Sequence, residues 1–128
     1  MDVLSVLYVD NDEKYGKSIS QVLLNTGISL TIVSGADEAI KILPESNFNI
    51  AIIEIDMPGA DGFKVLDFIM DNRLPPKVIM ITDTSEQALA SGIRGAQGTI
   101  DKPFDLKNLM DAMTKAMMKG KVYLPKRP

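Results

Sequence analysis

Short apolar segments alternate with amphipathic segments along most of the chain. Five of the apolar segments have the length and composition of β-strands: residues 4–9, 30–33, 50–55, 78–82 and the weakest, 98–100. The first, third and fourth are almost continuously apolar, which is typical of strands covered on both faces. The pattern therefore favours a parallel sheet buried between helices.

The segments between these strands repeat apolar residues at helical spacing. The clearest stripes comprise Tyr15, Ile19, Val22 and Leu23; Ala36, Ala39, Ile40 and Leu43; Phe63, Leu66, Ile69 and Met70; and Leu106, Leu109, Met110, Met113 and Met117. A weaker helix is predicted from Ser85 to Ser91, ending at Gly92, and the first helix is predicted to stop at residues 25–27. Strand–helix alternation repeated five times predicts an α/β fold, an open doubly wound sheet with helices on both faces.

Length and composition narrow the possible functions. The 128 residues suit one domain, predicted to span residues 1–119, and at 45% hydrophobic they can build a core. There is no cysteine and no histidine, which excludes disulfides, thiolate metal sites and a histidine general base. Residues 120–128 lack periodicity and are predicted to be a C-terminal tail or linker. With neither a signal peptide nor a membrane-spanning segment in the sequence, a cytoplasmic domain is expected.

The charge is distributed unevenly along the chain. The net charge is −3, but 4 of the 14 basic residues lie in the last ten positions: Lys119, Lys121, Lys126 and Arg127. The rest of the chain keeps 10 basic and 17 acidic side chains, which is a net charge of −7. Such an acidic body has no electrostatic basis for binding nucleic acid. Neither nucleic acid nor a membrane is expected as a partner.

Polar and charged side chains lie at the carboxyl ends of four of the predicted strands. They are Asp10, Asn11 and Asp12 at the first, Glu54 and Asp56 at the third, Thr82 and Asp83 at the fourth, and Asp101 and Lys102 at the fifth. In open parallel sheets the carboxyl ends of the strands meet at one edge, where function gathers. Helix capping would explain Asp12 and Asp61, but it does not explain a lysine held between a strand and a proline.

With these residues in this order, the chain resembles the receiver domains of bacterial two-component response regulators, from about Leu4 to Met118. The matching motifs are Asp10-Asn11, Glu54 to Gly59 with its Met-Pro-Gly turn, Asp61-Gly62, Thr82 and Lys102-Pro103-Phe104. The resemblance implies a flavodoxin-like (CheY-like) fold, in which a five-stranded parallel sheet of order 2-1-3-4-5 is combined with five helices.

The resemblance also implies roles for individual residues. Typical members accept a phosphoryl group from a histidine kinase on an aspartate of the third strand, with Mg²⁺ bound beside it. The position equivalent to the phosphoacceptor is Glu54, and the phosphate-binding and switch positions are Thr82, Lys102 and Thr99. The metal positions are Asp10, Asn11 and Asp56, of which the last would offer its backbone carbonyl and turn its side chain into solvent.

Four positions depart from the family pattern, all of them at the site: Asn11, Glu54, Asp83 and Thr99. Glu54 carries its carboxylate about 1.5 Å further than an aspartate would, and such a misplacement can cost about 100-fold in rate. Asn11 replaces a carboxylate, the ligand that Mg²⁺ prefers. Asp83 would repel an anionic donor, and it is equally suited to be an extra metal ligand or the cap of the following helix. Thr99 is too small to act as an aromatic switch.

These departures favour a receiver domain that is not an enzyme and that acts as a protein-interaction module without phosphorylation. The long side chain of Glu54 is expected to point its charge toward Thr82 and Lys102 and to pair with Lys102 directly. No cofactor would be required, and Mg²⁺ would bind weakly or not at all. The partner is expected to be a histidine kinase or an output domain or protein, bound through the fourth helix, the fifth strand and the fifth helix.

Two other functions are compatible with this fold. The alternative is a Mg²⁺-dependent phosphoryl acceptor that uses Glu54 or Asp56, with a metal site built from Asp10, Asp12 or Asp83. Metal binding separates this alternative from the interaction module. A small nucleotide or flavin enzyme is disfavoured, because the sequence has none of the glycine-rich phosphate-binding loops that such enzymes use.

Overall fold

The computed structural model describes residues 3–58 and 61–123 of the chain. The strands are β1 (Ser5–Val9), β2 (Ser29–Val33), β3 (Ile50–Glu54), β4 (Lys77–Ile81) and β5 (Gly98–Ile100). The helices are α1 (Glu13–Val22), α2 (Ala36–Ile42) with a short 3₁₀ helix after it (Leu43–Glu45), α3 (Gly62–Asp71), α4 (Ser85–Ile93) and α5 (Leu106–Met118). Every predicted strand and helix is present. No helix in this described part of the chain is both long and apolar enough to cross a membrane.

The strands form one parallel sheet in the order β2-β1-β3-β4-β5, which confirms the predicted topology. Their register places Val9 of β1 beside Ile53 of β3, and Glu54 of β3 beside Ile81 of β4. The carboxyl ends of these three strands are therefore neighbours. Because parallel strands end at the same edge, the residues that follow them meet there.

The central strands are buried on both faces, as their continuous apolar runs predict. Leu7 and Val9 of β1 belong to a cluster with residues of α2 and α3, whereas Val6 and Tyr8 belong to a second cluster with residues of α1 and α5. Burying one large apolar side chain completely contributes about 1.5–3 kcal/mol to stability. The two clusters thus hold the sheet between two helical layers and fix the edge that carries the polar residues.

Side-chain oxygens cap the first turn of four helices. Asp12 accepts a hydrogen bond from the backbone N–H of Tyr15 at the start of α1, and Asp61 accepts one from Lys64 at the start of α3. Both residues were expected to cap helices, and both do. The interpretation of Asp83 as the cap of α4 is wrong, because Thr84 takes that position and accepts from the N–H of Gln87. Asp105 caps α5 in the same way.

The fourth helix ends later than predicted. Gly92 lies inside α4, which continues to Ile93. The chain turns at Gly95, whose φ of 109° lies in the region that favours glycine. The N–H of Ala96 then bonds to the carbonyl of Ser91, as in a common helix-ending motif. The first helix ends at Val22, three residues before the predicted stop at residues 25–27, where Asn25 and Gly27 both have positive φ.

The first part of the predicted tail lies against the domain. The Lys121 ammonium donates to the carbonyls of Leu74, at 2.8 Å, and Pro76, and the Tyr123 hydroxyl donates to the carbonyl of Leu74 at 3.0 Å. These carbonyls belong to the connection between α3 and β4, where consecutive prolines leave few N–H donors nearby. Residues 120–123 are therefore anchored rather than fully solvated. The rest of the predicted tail, residues 124–128, lies outside the described residues.

Gly62 allows the start of α3 to approach the end of β3. A Cβ at this position would lie 2.2 Å from the backbone oxygen of Glu54, so a backbone atom would have to move. We expect Gly62→Ala to lower the free energy of unfolding by about 1–3 kcal/mol. Gly92→Ala is the control: no atom of the described structure is within 4 Å of its Cβ, and alanine should stabilise α4 by about 0.5–1 kcal/mol. Urea denaturation measures both, and an unchanged Gly62→Ala variant would contradict this packing.

Candidate functional site

Lys102 joins two buried carboxylates at the carboxyl edge of the sheet. Its ammonium lies 2.8 Å from Oδ2 of Asp10 and 3.0 Å from Oε1 of Glu54. Asp10 follows β1 and is 3% exposed, and Glu54 ends β3 and is 7% exposed. Lys102 follows the edge strand β5, so its long side chain crosses the ends of β4 and β3 to reach Asp10. The expected pairing of Glu54 with Lys102 is confirmed.

Asp10 is held by three donors. The hydroxyl of Tyr8 donates to Oδ2 at 2.8 Å, the same oxygen that contacts Lys102. The backbone N–H of Asp12 donates to Oδ1 at 3.0 Å. Both oxygens of this carboxylate therefore have hydrogen-bond partners within the protein.

Tyr15 covers the Lys102 ammonium from the side of α1. The ammonium lies 4.5 Å from the centre of the Tyr15 ring, within the range of a cation–π contact. The Tyr15 hydroxyl accepts a hydrogen bond of 3.0 Å from the backbone N–H of Phe104, and the two rings pack 5.2 Å apart. The aromatic pair ties α1 to the segment that follows β5. Lys102 is thus enclosed by two carboxylates and a ring.

One lysine faces two acids, so the charges of the three side chains do not fully cancel. Burial raises the pKa of Glu54, and this effect exceeds the lowering caused by Lys102. Burial of Lys102 lowers its pKa, but its contacts with Asp10 and Glu54 outweigh that effect and the pKa is raised. Oε2 of Glu54 is buried and has no hydrogen-bond partner among the described residues. The lysine therefore stays charged, while the second carboxylate is only partly compensated.

The two threonines of the family pattern lie at different depths. Thr82 is buried, and its hydroxyl donates to Oδ1 of Asp101 at 3.0 Å. Glu54 was expected to point toward both Thr82 and Lys102. Its Oε1 contacts Lys102, whereas the Thr82 hydroxyl donates its hydrogen bond to Asp101. Thr99 lies on β5 and is exposed. A threonine there presents a small polar surface beside α4 and α5.

A second acidic pair lies further out on the same edge. Asp56 is exposed, as expected, but its carboxylate is also within 3.4 and 3.5 Å of the Gln87 side-chain amide. Gln87 in turn accepts from the backbone N–H of Asp83 at 2.7 Å. A hydrogen bond with the Asp56 carboxyl raises the pKa of Asp83, desolvation and the charge of Asp56 raise it further, and the charge of Lys102 opposes them. Gln87 therefore links α4 to the turn after β3.

The side chains at the metal positions of the family pattern are neutral, or are already used in contacts within the protein. Asn11 is exposed and neutral, and Asp12 uses its side chain to cap α1. In the described part of the chain, no three acidic side chains are placed to hold a metal ion. Mg²⁺ needs near-octahedral oxygen ligands, yet the Asp10 oxygens accept from Lys102, Tyr8 and a backbone N–H. As arranged, these residues fit an ammonium group and not a magnesium ion.

Three residues of the site are not identified by the sequence pattern. The pattern places Tyr15 only in an apolar helix stripe and Tyr8 only in a strand, and it gives Asp101 no role. One signal is present for Tyr8: a buried tyrosine hydroxyl needs a partner, and residues two apart on a strand share a face. Asp10 is two residues after Tyr8 and so is its natural acceptor.

The sheet order, the buried carboxylates at its carboxyl edge and the lysine that reaches them define an α/β signalling domain of the receiver type. The family model described as the response regulator receiver domain matches residues 6–114. The chain therefore belongs to the family of response regulator receiver domains, the signalling modules of two-component systems.

Curated relatives agree with this assignment. The chain is 28% identical over 112 residues to the response regulator protein FleR of Pseudomonas aeruginosa, with 86% of this chain and 24% of FleR covered. It is 29% identical over 110 residues to the heme response regulator HssR of Staphylococcus epidermidis, with 84% of this chain and 49% of HssR covered. The chain thus spans about a quarter to a half of the length of these relatives.

Solved structures agree on the fold. A CheY-like response regulator receiver domain protein from Methanospirillum hungatei superposes with a TM-score of 0.83 at 25% identity, covering 91% of this chain and 94% of that one. The chemotaxis protein CheY4 of Vibrio cholerae gives a TM-score of 0.81 at 21% identity, covering 90% and 99%. The predicted CheY-like architecture is confirmed.

Proposed function

We propose that this receiver domain is a protein-interaction module that acts without phosphorylation. In this proposal the Glu54 carboxylate takes the place of a phosphoryl group as the anion that Lys102 binds. The observation that carries it is the 3.0 Å contact between Glu54 Oε1 and the Lys102 ammonium. The lysine of the phosphate-binding position is therefore already neutralised by a residue of the chain itself.

The surroundings of Glu54 support the same proposal. A nucleophilic carboxylate must present a free oxygen to the phosphorus atom in line with the leaving group. Oε1 of Glu54 is bonded to Lys102, and Oε2, which has no partner among the described residues, is buried and so not presented to a donor in solution. The carboxylates of Asp56 and Asp83 are exposed at the same edge of the sheet as Glu54, and they would repel an anionic donor.

The proposed contact surface is formed by α4, β5 and α5. It carries exposed apolar side chains, namely Leu89 and Ile93 on α4 and Leu106, Met110 and Met117 on α5. Leu89 and Ile93 are each 67% exposed and lie one helical turn apart. Exposed apolar side chains on both helices are suited to a protein partner. A histidine kinase or an output domain is the partner we propose for this face.

Acetyl phosphate tests whether the site accepts a phosphoryl group. We expect intact-protein mass spectrometry to find no added phosphoryl group after incubation with acetyl phosphate and Mg²⁺, because Glu54 is bonded to Lys102 and no group of three acidic side chains among the described residues is placed to hold the metal. The positive control is the Asn11→Asp/Glu54→Asp variant of the same chain under identical conditions. A phosphorylated native protein would contradict the proposal. Peptide mapping would then show whether Glu54 or Asp56 had accepted the group, as the alternative function requires.

A further inference from the structure

We infer that Tyr8 is the positioning residue that holds the Asp10 carboxylate toward Lys102 and so keeps the site in its lysine-bound form. The inference rests on the proposed function. It assigns to a core residue the task of keeping Asp10 in contact with Lys102. No motif of the family pattern includes Tyr8, and its hydroxyl reaches the site from inside the apolar core.

The position of Tyr8 makes it a fixed support. It is the fourth of the five residues of β1, and its side chain is completely buried among residues of β3, α1 and α5. Side chains two residues apart on a strand project from the same face, so the ring of Tyr8 runs below the carboxylate of Asp10. Because close-packed side chains have few alternative rotamers, the hydroxyl can hardly leave its place.

The hydrogen bond from Tyr8 determines which way Asp10 faces. The hydroxyl donates to Oδ2 at 2.8 Å, and the N–H of Asp12 donates to Oδ1 at 3.0 Å. These two donors fix the plane of the carboxylate from opposite oxygens. Oδ2 is left with one direction for a further donor, and Lys102 occupies it at 2.8 Å. A carboxylate fixed in this way cannot rotate to follow a cation bound further out near Asn11.

Tyr8 also remains a donor under ordinary conditions. Desolvation raises the pKa of its hydroxyl, and the hydrogen bond to Asp10 and the nearby negative charges raise it further. A buried hydroxyl that lost its acceptor would incur the full cost of desolvation. The Tyr8 hydroxyl therefore keeps its proton and remains available to donate to Asp10.

The rate of proton exchange at the Lys102 ammonium measures how well its contacts with the two carboxylates protect it from solvent. We expect Tyr8→Phe to accelerate this exchange by about tenfold or more, since a hydrogen bond to a charged group is stronger than one between neutral groups and its loss frees the Asp10 carboxylate to turn. Nitrogen-15 NMR at the lysine Nζ gives the rate, and the loss of the signal in Lys102→Arg assigns it. Asp10→Asn, which retains the side-chain volume but removes the charge, should accelerate the exchange at least as much.

Tyr15→Phe is the matched control. It removes a hydroxyl from the other tyrosine beside Lys102, whose ring contacts the ammonium but whose hydroxyl accepts from Phe104. We expect its Lys102 exchange rate to change by less than about twofold. Equal acceleration in the two variants, no acceleration in Tyr8→Phe, or no slowly exchanging Lys102 signal in the native protein would overturn the inference. Labelling by acetyl phosphate would instead overturn the proposed function and leave this measurement unaffected.

Discussion

Replacing Lys102 with methionine is expected to lower the free energy of unfolding by about 3–5 kcal/mol. The substitution keeps most of the apolar stem but leaves Asp10 and Glu54 as buried carboxylates without their cation. Removing one partner of a buried ion pair has a cost of this size, because the remaining charges stay desolvated. Urea denaturation at neutral pH, monitored by circular dichroism, gives the value.

Lys64→Met is the control for this substitution. Lys64 also pairs with an acid, at 3.3 Å from Asp37, but both side chains are exposed. An exposed pair contributes about 0–1 kcal/mol, so the loss should be several times smaller. Adding Glu54→Gln to Lys102→Met should recover about 1–3 kcal/mol, since the two residues are in contact. A loss in Lys102→Met no larger than that in Lys64→Met would show that the two carboxylates do not depend on the lysine.

The fold was predictable because the pattern of each element agreed with the same architecture. The residues of β3, IAIIE, are apolar up to Glu54, and the strand is buried along its whole length. Asn25 and Gly27, which both adopt positive φ, marked the turn after α1, although the helix itself already ends at Val22. The end of α4 was misplaced because Gly92 and Gly95 are both plausible terminators. Only the backbone geometry at Gly95 shows which glycine ends the helix.

Contacts within the site were predictable only where the order of the strands determines them. Asp10 and Glu54 lie at the carboxyl ends of neighbouring strands. Their proximity, and the contact of Lys102 with Glu54, could therefore be inferred from the order of elements. The partner of Thr82 could not, because Asp101 becomes its acceptor through the conformation of the chain after β5. The choice of Thr84 over Asp83 as a cap likewise depends on a shift of one residue.

Restoring both aspartates is expected to create a Mg²⁺ site where the native chain favours Lys102. In Asn11→Asp/Glu54→Asp the carboxylate at position 54 retreats by about 1.5 Å and weakens its contact with Lys102, now 3.0 Å. The substitution at position 11 adds a second carboxylate beside Asp10, which is the ligand that Mg²⁺ prefers. We expect isothermal titration calorimetry to show binding at least about tenfold tighter than in the native protein, a gain of about 1.4 kcal/mol.

The single variants separate the effect of the added carboxylate at position 11 from that of the shorter side chain at position 54. Asn11→Asp alone adds charge but leaves Glu54 bonded to Lys102, so its gain in Mg²⁺ affinity should be smaller than that of the double variant. Glu54→Asp alone shortens the side chain without supplying the missing ligand and should gain little. If the double variant binds Mg²⁺ no better than the native chain, then neither the extra methylene at position 54 nor the amide at position 11 explains the weak Mg²⁺ binding that we expect of the native chain. The contacts of Asp10 with Tyr8 and Lys102 would then be the remaining explanation, since none of these three residues is substituted in the variants.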